Sequence, residues 1–384
     1  MRHYRQIIAA GALALLSASC ASSEHRLPDA AAIDAAAARL MAKEDVKGLA
    51  IAVIDEGEVR HVAAYGYANV EQQRKLTTST VMYGASLTKT AFAYMVLGLV
   101  DEGRFDLDRP LAEYLKKPLP DYEDYADLAS DDRWKALTAR HVLTHTTGLA
   151  NFRWLEDDGK LRFHRAPDEA YGYSGEGFYI LQLALEEGLG VETGAAMRAR
   201  IFEPFAMART DMAWRADFAE DLADGYAIDG AFEPHDERSS PSAAGSMDTT
   251  IADQARMFAA IMRGEGLSSR SREALTTPQI AITTASQFPT LRPSSDRRGP
   301  AIGLSAGLGL IVFDDASGRM FMKGGHNDWT GNMAVCQEAR QRCVVLLANS
   351  VRAEKIYPAL VEFILGPTKT PWWWEYGLAQ NATN

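Results

Sequence analysis

Apolar positions fall into three regimes along this chain. Residues 30–43 are alanine-rich with a helical repeat, and residues 49–54 form a short unbroken apolar run. The polar turn Asp55-Glu56-Gly57-Glu58 and the following stretch 59–67 make that run the first arm of a hairpin. A long apolar helix then runs from Ser86 to about Glu102 and stops at Gly103, a residue suited to close a helix. The middle regime is helical. It has helices at 138–145, with Thr138 as N-cap, and at 175–187, 193–202 and 250–263. Residues 106–120 are loop-rich, the acidic stretch 121–134 reads as a surface insertion, and the Ser/Pro/Arg-rich stretch 286–300 as a mobile loop. In the third regime the period changes to that of strands, at 307–313, 320–323, 331–337 and 343–348, before a closing helix at 351–365.

Strands therefore lie at both ends and helices fill the middle. This predicts an α/β (α+β) fold: an antiparallel sheet from the N- and C-terminal segments, flanked by terminal helices, with a mostly helical region inserted at about 104–300. The expected organisation is a leader at 1–20, a linker at 21–33, a catalytic domain at 34–365 and a tail at 366–384, whose Trp372-Trp373-Trp374 cluster is expected to pack onto the body.

Composition changes this picture little. The chain has 384 residues, 47% hydrophobic and 24% charged, as in ordinary globular proteins. A net charge of −11 without a basic block sets nucleic acid aside as a partner. The leader is more informative. Arg2 and Arg5 precede an apolar run at 7–16 that is too short to span a bilayer, then small residues lead to Cys20. This predicts export. The segment resembles a bacterial lipoprotein signal, although Ser17 stands where leucine is usual, with Leu16 one place back. That resemblance implies a lipidated Cys20 and a periplasmic protein anchored to an envelope membrane. In an oxidising compartment Cys336 and Cys343, flanking a polar turn between two strands, are expected to form a cross-strand disulfide. They have no histidine partner at metal-ligand spacing, so no zinc site is read there.

The candidate chemistry starts at Ser86-Leu87-Thr88-Lys89. Residues i and i+3 share a helix face, so the Lys89 amine can reach the Ser86 hydroxyl and activate it as a nucleophile. Two more segments follow in order: Tyr173-Ser174-Gly175 and Lys323-Gly324-Gly325-His326.

With these three motifs, and with Leu137 to Leu149, Ile201 to Met207 and Val344 to Asn349, the chain resembles the serine β-lactamase superfamily. The branch is that of class C β-lactamases, D-alanyl-D-alanine carboxypeptidases and related esterases, and the likeness covers about 34–365. The resemblance implies that Ser86 attacks a carbonyl, Lys89 keeps the hydroxyl poised and Tyr173 shuttles protons. It implies an oxyanion hole from the backbone N–H groups of Ser86 and His326, with glycines at 324 and 325 allowing close approach. Lys323 would hold a substrate carboxylate or keep the tyrosine and lysine pKa values low. No metal or cofactor is implied. The substrate would be a small molecule or a cell-wall peptide; oligomeric state is not legible.

Two departures stand out. The family's second motif usually ends in asparagine, whose amide binds the substrate carbonyl, and here that place is Gly175. The third motif has Gly324 in place of threonine, so a hydroxyl that could bind a carboxylate is missing. The expected function is an exported acyl-serine hydrolase of β-lactam or D-amino-acid peptide bonds. The alternative is an esterase on the same scaffold, and an asparagine restored at 175 is expected to raise β-lactam acylation. A silent penicillin-binding-like envelope protein is the third reading, and the complete Ser86, Lys89, Tyr173 set argues against it. Tyr67-Ala68-Asn69 and the Gly-x-Ser-x-Gly at Ser305 read as strand sequence, and His141 and His145 as structural residues.

Overall fold

The computed structural model of the chain describes residues 25–290 and 295–378; Cys20 and the leader lie outside the described residues. Among the described residues, nine strands form one antiparallel sheet. Its centre consists of Glu58–Asn69, Gly48–Asp55, Arg342–Ala348, Gly331–Gln337, Gly318–His326 and Ile311–Asp315, in that spatial order. The N-terminal hairpin is joined to the C-terminal strands by the pairing Leu49↔Ala348 through Ile54↔Cys343. The α/β sheet expected from the two chain ends is therefore present.

The sheet separates two cores. Ala50, Ala52, Ile54, Val345 and Leu347 face the helical region, while Leu49, Ile51, Val53, Val344 and Leu346 face the terminal helices Ala30–Glu44 and Tyr357–Leu365. A strand covered on both faces reads as a continuous apolar run, which is why 49–54 does not alternate. Cys336 lies directly opposite Cys343 in the strand register, and their sulfurs are bonded.

The helix Leu87–Asp101 is apolar on all sides, and its residues from Leu87 to Leu97 are all buried. A helix of that composition is stable only inside a core. Its buried leucine, valine and phenylalanine side chains each contribute about 1.5–3 kcal/mol by leaving water. Its start is therefore a fixed point of the fold.

Two of the stretches read as loops carry buried anchors. Residues 119–136 form 3₁₀ turns held by buried Leu119, Tyr125, Leu128 and Trp134, so this stretch is pinned by apolar anchors between its charges. In the stretch expected to be mobile, Gln287 is buried and Phe288 packs on other rings. Trp372–Glu375 forms a short helix whose three tryptophans pack against the sheet's outer face and the terminal helices.

Candidate active site

Ser86 stands at the N-cap of the apolar helix, after Ala85 in a left-handed conformation with φ of 47°. Alanine adopts that region only where the surroundings force it, and this turn sets the serine at the helix mouth. Lys89 Nζ lies 3.1 Å from Ser86 Oγ and also donates to the Ala244 carbonyl. Lys89 is fully buried. Burial first, and then the positive charge of Lys323, push its amine well below the usual lysine pKa. An amine pushed in this direction gives up its proton more readily and so has a lone pair to offer the serine hydroxyl.

The Tyr173 hydroxyl lies beside Ser86 and accepts from Lys323 Nζ at 3.3 Å. Burial raises the Tyr173 pKa and outweighs the serine contact, so the ring stays a protonated phenol. This departs from the expectation that Lys323 keeps it low. The two groups beside the serine are thus pushed in opposite directions, the amine towards losing its proton and the phenol towards keeping it, which is the pattern of a base and an acid.

Tyr173 is positioned by its neighbours. Ser174 caps the helix Gly175–Leu189 by accepting from Gly177 N–H at 3.1 Å, and its own N–H donates to His145 Nδ1 at 3.1 Å. The His145 ring stacks on Tyr173 with centroids 4.1 Å apart. Burial, then Lys89 and Lys323, lower its pKa well below the ordinary value, so it is a neutral spacer. His141 serves elsewhere: it accepts from Thr138 N–H in a capping box.

Gly325 carries the strand past the helix mouth. A Cβ there would lie 2.9 Å from the backbone nitrogens of Ser86 and Leu87, so only glycine allows this approach. His326 follows, with Nδ1 2.9 Å from Glu354. Burial works to lower the His326 pKa, but Glu354 and Glu375 outweigh it and raise it. Lys323 is also buried and is lowered to about 8 by burial, against the opposing pull of Glu375.

These residues open onto a cavity of about 710 Å³, lined by Ser86, Tyr173, Lys323, Gly324, Gly325 and His326 together with Asn151, Phe152, Phe288 and Glu375. Gly175 is not in the lining. Its N–H donates to Asn151, and a Cβ on it would meet the Phe152 ring at 2.3 Å. The structure thus places Gly175 behind Phe152, away from the substrate position expected for it. Asn151, whose Oδ1 accepts the Gly175 N–H at 3.0 Å, lines the cavity in its stead. Tyr67 and Asn69 lie elsewhere, with Asn69 donating to Asp224 at 2.7 Å. Ser305 sits on a two-residue strand and donates to Gly303 O, with no helix following as a nucleophile elbow needs. The sequence reading missed Asn151, Phe152, Phe288 and Glu375 as lining residues, and their motif-free surroundings carry no signal for them.

Among curated proteins, the chain is similar to the unguisins hydrolase of Aspergillus violaceofuscus, 26% identical over 253 residues, 58% of this chain and 43% of that one. It is also similar to penicillin-binding protein 4* of Bacillus subtilis, 24% identical over 221 residues, 51% of this chain and 44% of that one. The chain thus spans less than half the length of these two relatives. Among solved structures it resembles the octameric penicillin-binding protein homologue from Pyrococcus abyssi, with a TM-score of 0.70 and 21% identity over 89% of this chain and 78% of that one. That likeness is one of fold. Residues 33–364 match the beta-lactamase family, and the chain, with its central antiparallel sheet and its clustered Ser86, Lys89 and Tyr173, belongs to that family.

Proposed function

We propose that this protein is a serine hydrolase that forms an acyl-enzyme on Ser86. The observation that carries the proposal is the fully buried Lys89 amine at 3.1 Å from the Ser86 hydroxyl. The neutral amine takes the hydroxyl proton as Oγ bonds to the substrate carbonyl carbon. The resulting oxyanion is held by the backbone N–H groups of Ser86 and His326. The protonated Tyr173 gives its proton to the leaving group as the carbon–heteroatom bond breaks, and is reprotonated from Lys89. Water then attacks the acyl-serine through the same groups in reverse, releasing the acid and restoring Ser86 and Lys89.

Phe152 over Gly175 favours esters over β-lactams and D-amino-acid peptides as the bonds cleaved fastest. The amide expected at 175 has no room there, and an ester needs less positioning than an amide because its leaving group is better. Asn151, which lines the cavity, would bind the acyl carbonyl instead. Intact-mass spectrometry after mixing with p-nitrophenyl acetate and with a fluorescent penicillin tests the reading. The expected result is a covalent adduct with both, faster turnover of the ester, and neither with Ser86→Ala. Unchanged turnover in Ser86→Ala would refute it.

A further inference from the structure

Glu375 lies in the tail, beyond residues 33–364 that match the family, yet its carboxylate lines the Ser86 cavity. Two ties hold it there. Gln287 Nε2 donates to Glu375 Oε2 at 2.8 Å, and Gln287 Oε1 accepts from Tyr171 at 2.9 Å. Behind them, the Gln287 N–H donates to the Trp374 carbonyl at 2.9 Å and Trp374 Nε1 donates to Thr284 at 3.0 Å. Glu375 is 6% exposed, so this is a fixed wall of the cavity.

The other oxygen rests on Gly324. A Cβ at residue 324 would lie 2.0 Å from Glu375 Oε1. The missing side chain in Lys323-Gly324-Gly325 therefore makes room for a carboxylate supplied by the chain itself, beside the one lysine of the lining. Lys323 Nζ donates to the Gly324 carbonyl at 2.7 Å, so the lysine head and the Glu375 carboxylate lie against the same residue, and the charge of each acts on the other. The proton balance of such a pair is decisive. With the proton on Lys323 the pair is an ammonium and a carboxylate; with the proton on Glu375 it is an amine and a carboxylic acid. With one proton between them the net charge is zero in either arrangement and no unpaired positive charge is offered; only a second proton, on both groups at once, leaves one. The remaining charges of the cavity point the same way: Asp229, Asp328 and Glu354 also line it, and Glu354 already holds His326.

We infer that Glu375 is a specificity-determining residue, which takes up the charge of Lys323 from within, so that the substrate group lodged beside Lys323 is uncharged or cationic and not a carboxylate. This reverses the expectation that Lys323 selects an anionic substrate, and it rests on the reading of Ser86 as the acylated residue.

Three acetyl esters of one phenol core form the test: 3-acetoxybenzoate, its methyl ester, and 3-acetoxyphenyltrimethylammonium. The kcat/KM of each is measured for the wild type and for Glu375→Gln. The wild type is expected to disfavour the carboxylate against the methyl ester by tenfold or more. Glu375→Gln is expected to raise the carboxylate-to-methyl-ester ratio by tenfold or more and to lower the ammonium-to-methyl-ester ratio. A smaller shift in the first ratio overturns the inference while leaving the hydrolase reading in place. Should Glu375→Gln fail to fold, the wild-type ratio decides: parity or a preference for the carboxylate overturns the inference. Failure of all three esters to acetylate Ser86 sinks the hydrolase reading and this inference with it.

Discussion

Gly175→Asn is the substitution on which sequence and structure disagree most sharply. From the motif alone, the asparagine would supply a missing amide. In the fold, its Cβ would stand 2.3, 2.7 and 3.0 Å from three atoms of the Phe152 ring. Carbon atoms rest at about 3.5 Å or more, so the ring must retreat by roughly 1.2 Å before the rest of the side chain is accommodated. Phe152 is not free to do so at no cost, because it stacks on Trp154 at 4.2 Å with planes 9° apart. Overpacking of this kind costs about 1–3 kcal/mol, and losing the ring pair about 0.5–1.5 kcal/mol more. For a domain of this size each kcal/mol lowers Tm by about 2 °C, giving a fall of roughly 3–9 °C. The backbone adds no penalty, since Gly175 has no positive φ. The assay is a thermal melt paired with the rate of acylation by a fluorescent penicillin. Gly175→Asn is expected to melt lower without acylating faster. Gly175→Asn combined with Phe152→Ala, which clears the space, is expected to acylate at least tenfold faster than Phe152→Ala alone. A single Gly175→Asn that gains tenfold in acylation with an unchanged Tm would refute the argument that Phe152 fills that place.

Four further outcomes are expected. Lys89→Met should reduce ester kcat/KM by about a thousandfold or more, within the range of general acid–base and nucleophile activation. Its stability relative to wild type should depend on pH with a definite sign. The folded Lys89 pKa lies below the unfolded value, so between the two the unfolded chain binds more protons and wild-type stability rises with pH. The difference from Lys89→Met should therefore change in favour of wild type by about 1.4 kcal/mol per pH unit in that window, and a flat difference in paired denaturant titrations would contradict the burial argument. Replacing Cys336 and Cys343 together by alanine should cost about 2.5 kcal/mol, the loop-closure value for so short a ring, as read by denaturant unfolding. Cys20→Ser should abolish incorporation of labelled palmitate in bacterial cells expressing the full chain; labelling that persists would remove the lipoprotein proposal.

Several features were legible because they are properties of neighbours along the chain. The apolar run 49–54 and the strands 331–337 and 343–348 announced a buried sheet, since strands covered on both faces admit no alternation. Thr138 announced a helix start through its cap, and Gly103 a helix stop. Loops were harder. Residues 121–134 looked like a surface insertion because their charges outnumber the three buried anchors, Tyr125, Leu128 and Trp134, that hold them. The first part of 286–300 looked mobile because its composition shows nothing of the contacts Gln287 makes with Tyr171, Trp374 and Glu375.

The sequence alone determined that Ser86 and Lys89 share a helix face, because a spacing of three is fixed by helix geometry wherever the helix lies. The need for glycine at 325 came only with the fold, since the Cβ it lacks would lie 2.9 Å from the backbone nitrogens of Ser86 and Leu87. Only the tertiary structure decided the state of those groups and their surroundings. The lowered pKa of the Lys89 amine follows from its burial and from Lys323, which is 234 positions away in the chain. The filled place beside Gly175 follows from Phe152, and the charge balance of Lys323 from Glu375. Burial and Coulomb interaction depend on distance through space. Between segments brought together by folding, no local pattern of residues encodes that distance.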